Sequence, residues 1–153
     1  MKKVSEFMRK KVLTVTPATP IEEIWSLIFK KGIHALPVVD VKNKLLGIIS
    51  EEDLLSKVYP EYSEIIGDLN NLDLDSVEGQ VKKLKRFTAK ELMSTTVFTT
   101  ESEESIFLAL SRMLMLQVRQ LPVIDHHRVV IGMISKGDLF DYIFKYYFTL
   151  SQS

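Results

Sequence analysis

The spacing of apolar and polar positions divides the chain into short elements whose order occurs twice. Val4 to Met8 predicts a short helical turn with Phe7 and Met8 on its apolar side. Val12 to Thr16 (VLTVT) is rich in β-branched residues and stops at Pro17, which predicts a short strand or extended segment. Ile21, Ile24, Trp25, Ile28 and Phe29 then fall at helical spacing. Thr19 as cap, Pro20 at the first helical position and Glu22 closing a capping box predict the start of that helix, and Lys30-Lys31-Gly32 its end. Leu36 to Asp40 and Leu45 to Ser50 read as apolar strands joined through Lys42-Asn43-Lys44, with Pro37 tolerated near a strand start. Ser50-Glu51-Glu52-Asp53 opens a second helix that ends before Pro60. The predicted order is strand, helix, strand, strand, helix.

That order returns 85 residues later without a gap, positions 7–58 matching 92–143. Of these 52 pairs 14 are identical, and they include the ordered set Leu-Pro-Val, Asp, Gly, Ile, Ser, Asp of Leu36 to Asp53 and Leu121 to Asp138, which establishes a tandem duplication. The second copy predicts an extended Val97 to Thr100, a helix through Ile106, Leu110, Met113 and Leu114, and strands at Leu121 to Asp125 and Val129 to Ser135. The chain thus divides into repeat 1 (1–60), a helical linker (61–87) and repeat 2 (88–153). In the linker Ile65, Ile66 and Leu69, then Val77, Val81 and Leu84, predict two helical stretches broken around Asn70-Asn71. One repeat of roughly 55 residues is near the lower limit for a core of its own, so the copies are expected to share one. The tail from Leu139 to Leu150 carries Phe140, Tyr142, Phe144, Tyr146, Tyr147 and Phe148, more rings than one buried face needs. Core packing and a self-association surface are both open readings of it.

Charge adds little direction. Twenty acidic residues balance twenty basic ones, so nothing global steers the chain to nucleic acid or an anionic membrane. The cluster Lys82, Lys83, Lys85, Arg86 reads as a solvated helix face near a C-terminus rather than a nucleic-acid patch. The chain has no cysteine, which excludes disulfides and thiolate metal sites and fits a reducing cytosol. Met-Lys-Lys is followed by no apolar run, and no stretch of roughly 18 uncharged apolar residues occurs, so a soluble, cytoplasmic protein without a membrane partner is expected.

Catalytic motifs are missing from the sequence: no Gly-x-Ser-x-Gly, no phosphate loop of the Gly-x-x-x-x-Gly-Lys-Ser type, no dinucleotide fingerprint. His126 and His127 are adjacent in a predicted turn and make a poor metal pair, and His34 has no nucleophile near it in sequence. An enzyme is not expected, nor a required cofactor or metal. Ser50 with Asp53, and Ser135 with Asp138, stand where a strand passes to a helix. A capping box explains such a pair completely. The same geometry also suits a nucleotide: the helix start offers free N–H groups to phosphate. A carboxylate beside it accepts both hydroxyls of a ribose, each charge-assisted bond contributing about 1.5–3 kcal/mol.

The ordered set Met-x-x-x-Val-x-Thr, Leu-Pro-Val-Val/Ile-Asp and Gly-h-Ile-Ser-x-x-Asp-Leu (h, apolar), present twice, resembles a tandem CBS-domain pair, or Bateman module, over nearly the whole chain. The resemblance implies an α/β fold of two βαββα repeats packed about a pseudo-twofold axis, with two clefts that bind adenosine-containing ligands: AMP, ADP, ATP or S-adenosylmethionine. It implies a regulatory homodimer that signals to an effector protein. It also implies two residue sets. One cleft joins Ser135, Lys136 and Asp138 to Thr14, Thr16, Ile33, His34 and Ala35; the other joins Ser50 and Asp53 to Thr99, Glu101, Val118, Arg119 and Gln120. Family members often place Ser or Thr before the ribose-binding Asp; this chain has Glu52 and Gly137 there. Glu52 and Glu101 beside Asp53 repel a phosphate, so the Asp138 cleft is expected to be the better one. The alternative expectation is a structural dimerisation module whose clefts no longer bind.

Overall fold

The described residues of the computed structural model, 1–59 and 73–151 (side chains of 150 and 151 excepted), form the predicted helices and hairpin strands in the predicted order, without the first strand of each repeat. They are a 3-10 turn at Val4–Glu6, α1 (Ile21–Lys31), β1 (Ala35–Val39), β2 (Leu45–Ser50) and α2 (Glu51–Val58), followed by α3 (Leu74–Lys83) and α4 (Ala89–Leu92). Then come α5 (Ile106–Leu116), β3 (Gln120–Ile124), β4 (Val130–Ser135) and α6 (Lys136–Ser151). The helical stretch expected around Ile65, Ile66 and Leu69, and its break at Asn70-Asn71, lie outside the described residues. No helix among the described residues is long and apolar enough to cross a membrane.

The fold is mixed α/β, with β1 pairing β2 and β3 pairing β4 antiparallel. Val12 to Thr16 contributes less than a strand. Only Val15 bridges β1, its N–H donating to the Pro37 carbonyl at 3.0 Å, because the next amide, Thr16, donates to Thr19 Oγ1 at 3.0 Å. That bond also overturns the expected cap of α1. Pro20 is the N-cap, Thr19 turns its hydroxyl back to Thr16, and the Ile21 amide is satisfied by the Phe87 carbonyl at 3.0 Å.

The chain forms two compact units that cut across the repeats. The first holds Met1–Leu13, Lys42–Leu45 and Phe98–Ser153; the second holds Thr14–Val41 and Leu46–Val97. Each takes its opening segment from the other repeat, through equivalent bonds. In the first unit Val4 N–H donates to the Glu104 carbonyl (2.9 Å) and Ile106 N–H to the Lys2 carbonyl (3.1 Å). In the second, Ala89 N–H donates to the Thr19 carbonyl (2.9 Å), alongside the Ile21–Phe87 bond. The buried residues accordingly make two clusters rather than the one shared core that repeat size suggested. Val4 completes Ile106, Met113, Leu121, Val123, Ile134 and Leu139, and Ala89 completes Ile21, Ile28, Leu36, Val38, Ile49 and Leu54.

Two details show the duplicated backbone persisting where the residues have diverged. Gly32 and Gln117, one repeat apart, both end their helices at positive φ (66° and 55°), and Asn43 and Arg128 share it in the hairpin turns (64° and 63°). The core position filled by Val15 in the second unit is Thr100 in the first, a buried polar side chain. A buried hydroxyl costs stability unless bonded, and Thr100 Oγ1 donates to Glu104, which Arg112 grips with both terminal nitrogens. The corresponding residues of the first repeat, Thr19 and Leu27, have no such charges.

The aromatic tail divides. Phe140 and Tyr142 pack on the first core, Tyr142 with its ring 4.3 Å from Phe7, whereas Phe144, Tyr146, Tyr147 and Phe148 are exposed.

The opening segments lie so close to the sheets that a glycine stands opposite each of them. A Cβ on Gly47 falls 2.8 Å from the Ser94 carbonyl oxygen and 2.8 Å from Met93 Sδ; on Gly132 it falls 2.8 Å from Met8 Sδ and 3.1 Å from the Arg9 carbonyl oxygen. A methionine end rotates aside and a paired carbonyl does not. Urea denaturation is expected to show Gly47→Ala losing about 2–3 kcal/mol and Gly132→Ala about 1–2 kcal/mol; equal losses would contradict the steric account. Glu104 supplies a pH-dependent term. Burial raises the pKa of its carboxyl, but the bonds from Arg112 and Thr100 outweigh burial, and the net shift is downward from 4.5. Its stabilisation is therefore present above that value and lost as pH falls through the lowered one. Glu104→Gln is expected to cost about 1–2 kcal/mol at neutral pH, a gap that closes as acidification carries the pH below 4.5 and through the lowered value; a gap constant with pH would contradict the ionic role.

Candidate ligand site

Each repeat carries its serine at the end of a strand and its acid in the first turn of the following helix, but the two acids are disposed differently. In the second unit β2 runs into α2 at Ser50. Asp53 Oδ2 accepts both the Ser50 N–H (2.8 Å) and the Ser50 hydroxyl (3.1 Å). This carboxyl is folded back on its own turn. Burial raises its pKa above the ordinary 3.8, Glu52 adds to the rise, and the two Ser50 bonds offset only part of it.

In the first unit β4 runs into α6 at Ser135, and here the serine is the acceptor, Asp138 N–H donating to Ser135 Oγ at 3.1 Å. The Asp138 carboxylate turns outward instead and meets Arg9. Arg9 Nε lies 3.2 Å from Oδ2 and Nη2 lies 3.4 Å from Oδ1, a two-pronged contact. Arg9 is carried to this position by its backbone, which pairs with Met133 of β4 in both directions (2.8 and 3.0 Å). Ser94 is the residue one repeat on, and it pairs with Ile48 of β2 in the same way (2.8 and 2.9 Å). Its hydroxyl, however, donates to the Thr96 carbonyl at 3.3 Å.

The other candidate residues assemble within units. In the first, the Arg119 carbonyl accepts the Lys136 N–H at 2.8 Å and Gln120 lies opposite Ser135, so Val118, Arg119 and Gln120 adjoin Ser135, Lys136 and Asp138. In the second, the His34 carbonyl accepts the Glu51 N–H at 3.2 Å, which places Ile33, His34 and Ala35 beside the Ser50–Asp53 turn. Thr14 and Thr16 flank Val15 on the second unit's sheet; Thr99 adjoins Thr100 in the first, its carbonyl accepting Arg112 Nη1 at 3.4 Å. The structure thus groups Val118, Arg119 and Gln120 with Ser135, Lys136 and Asp138, and Ile33, His34 and Ala35 with Ser50 and Asp53, each within one unit. Glu52, Glu101 and Gly137 are exposed, and a Cβ on Gly137 meets nothing within 4 Å, so that position lacks a hydroxyl for no steric reason.

Sequence reasoning missed Arg9. Its signal was present: the identical pair Met8 and Met93 is followed by Arg in one copy and Ser in the other. His126 and His127 lie in the turn whose carboxylate, Asp125, accepts N–H bonds from His127 (2.8 Å) and Val129 (3.0 Å). Among the described residues no group of three His, Asp or Glu side chains is arranged to hold a metal.

Residues 4–60 and 89–145 each match the CBS domain family, and the chain belongs to that family. A CBS domain-containing protein of Dictyostelium discoideum is 30% identical over 143 residues, 93% of this chain and 91% of that protein. The chain spans 61% and 60% of two further curated relatives, which are longer. Among solved structures, the CBS-pair protein CBSX2 from Arabidopsis thaliana, in complex with AMP, superposes with a TM-score of 0.74 at 22% identity, covering 95% of this chain and 98% of that one. The CBS domain pair of protein MJ0100, in complex with 5′-methylthioadenosine and S-adenosyl-L-methionine, gives 0.71 at 22% identity with the same coverage. At such identities these likenesses establish the fold.

Proposed function

We propose that the protein is a regulatory module that binds an adenosine-containing ligand at the Ser135–Asp138 turn and reports its presence through dimer or effector-protein contacts in the cytosol. The observation that carries this reading is the unequal disposition of the two acids. Asp53 is half-buried and spends one oxygen on its own serine, whereas Asp138 presents both oxygens outward to an exposed partner. A ribose diol donates two hydroxyls to one carboxylate, and only Asp138 offers that acceptor without first breaking its own turn. The family resemblance implies Lys136, in the same turn, as a further contact. Two CBS structures of this fold hold AMP in one case and 5′-methylthioadenosine with S-adenosyl-L-methionine in the other, which supports the ligand class. The Asp53 turn, with Ser50, is the weaker site in this reading, since Glu52 adds negative charge to it.

A second reading, a dimerisation module without ligand, is favoured by the exposed rings of Phe144, Tyr146, Tyr147 and Phe148 along α6. Thermal-shift and calorimetric titration with AMP, ADP, ATP and S-adenosylmethionine separate the two. The ligand reading expects stabilisation by at least one of them, kept in Asp53→Ala and weakened about tenfold or more in affinity in Asp138→Ala. Binding lost in Asp53→Ala and kept in Asp138→Ala would sink the assignment. No response to any of the four, with a tight dimer by size-exclusion chromatography, would establish the second reading instead.

A further inference from the structure

We infer that Arg9 determines which adenosine ligands the Asp138 site accepts, selecting those that carry phosphate; this rests on the ligand reading above. The starting point is the ion pair itself. Its side chains are exposed, 72% for Arg9 and 40% for Asp138, so the pair is weak and opens readily. A ribose that takes the Asp138 oxygens competes with the guanidinium for them. The displaced group stays within reach of the site, because the Arg9 backbone is paired to Met133 in both directions. It is then a permanently charged fork of five N–H donors with no acceptor, held within one side-chain length of the bound ribose.

What the ligand carries decides the balance. In a nucleoside monophosphate the phosphate lies one ribose away from the diol, within an arginine's span, and phosphate is the planar fork's preferred partner. The pair lost to the carboxylate is regained on the ligand. Neutral adenosine breaks the same pair and returns nothing, and a cationic sulfonium adds repulsion. Lys136, next to Ser135, is a second basic residue at the same helix start. The duplicated half provides an internal contrast. Ser94 stands at the position of Arg9, its hydroxyl engaged on Thr96, while Asp53 is closed on Ser50 beside Glu52. Among the described residues, the first unit alone combines such an acid with a releasable cation.

Calorimetry with AMP and with adenosine on the wild type, Arg9→Gln and Arg9→Lys tests this. Arg9 is exposed and anchored through main-chain bonds, so both variants are expected to fold, with unfolding midpoints near the wild type. The wild type is expected to bind AMP more tightly than adenosine. Arg9→Gln should weaken AMP about tenfold while leaving adenosine unchanged or up to about fivefold tighter; Arg9→Lys should keep part of the preference. If the wild type binds both ligands and Arg9→Gln leaves their ratio unchanged, the role of Arg9 is refuted while the adenosine site stands. If the wild type binds neither, the site and the role of Arg9 fail together.

Discussion

The close approach of each repeat's opening segment to a strand of the other repeat is the constraint on which the rest of the structure depends. Met8-Arg9 lies against β4 over Gly132, and Met93-Ser94 lies against β2 over Gly47, at distances that leave a Cβ no room on Gly47 and little on Gly132. Everything upstream in each segment follows from that docking. Val4 and Ala89 are buried because the chain is pinned a few residues later, and their burial completes cores that neither repeat closes alone. The site follows too. Arg9 has a side chain far too exposed to be positioned by packing, and it reaches Asp138 because its main chain is hydrogen-bonded to Met133.

The duplication makes the chain its own comparison, since the same backbone position carries two different residues. Exchanging Val15 for Thr100 puts a hydroxyl into a core, and the first unit answers with Glu104 and Arg112 where the second has Thr19 and Leu27. The change is not a single substitution but three that fit each other, as a buried polar group requires. The left-handed positions show the opposite behaviour. Gln117 and Arg128 adopt the conformations of Gly32 and Asn43 without a compensating residue, because a side chain there points to solvent and the cost is confined to the backbone.

Much of this architecture was legible in the sequence, and the parts that were not have physical causes. Period and punctuation located the helices and strands, because those signals are local: the apolar spacing of Ile21 to Phe29, the stop at Gly32, the polar turn at Lys42-Asn43-Lys44. Thr19 misled because a capping box is also local, whereas the amide it was expected to serve is taken by Phe87, more than sixty residues away. The exchange of opening segments was hidden for the same reason; nothing in Val4 or Ala89 says which sheet they will meet. At the candidate site, the Ser-x-x-Asp pairs were legible as pairs, but their difference was sought in the residues beside the acids, Glu52 and Gly137. The structure adds a difference carried by Arg9 and Ser94, which lie more than forty residues from their units' acids along the chain.

A net charge of zero says little about such a protein, because what a ligand meets is set over a few ångströms. Asp53 and Asp138 stand at the same spacing from equivalent serines, Ser50 and Ser135, yet one is pushed toward its neutral form by burial and a neighbouring glutamate, and the other is paired with a guanidinium. The first arrangement stabilises its own turn and leaves little for a partner. The second leaves a carboxylate whose present partner is held by a weak, solvent-exposed contact. Duplication provides the chain with two helix starts of one design. Divergence of one residue on a distant segment is enough to give them different chemistry, because the fold delivers that segment to only one of the two acids.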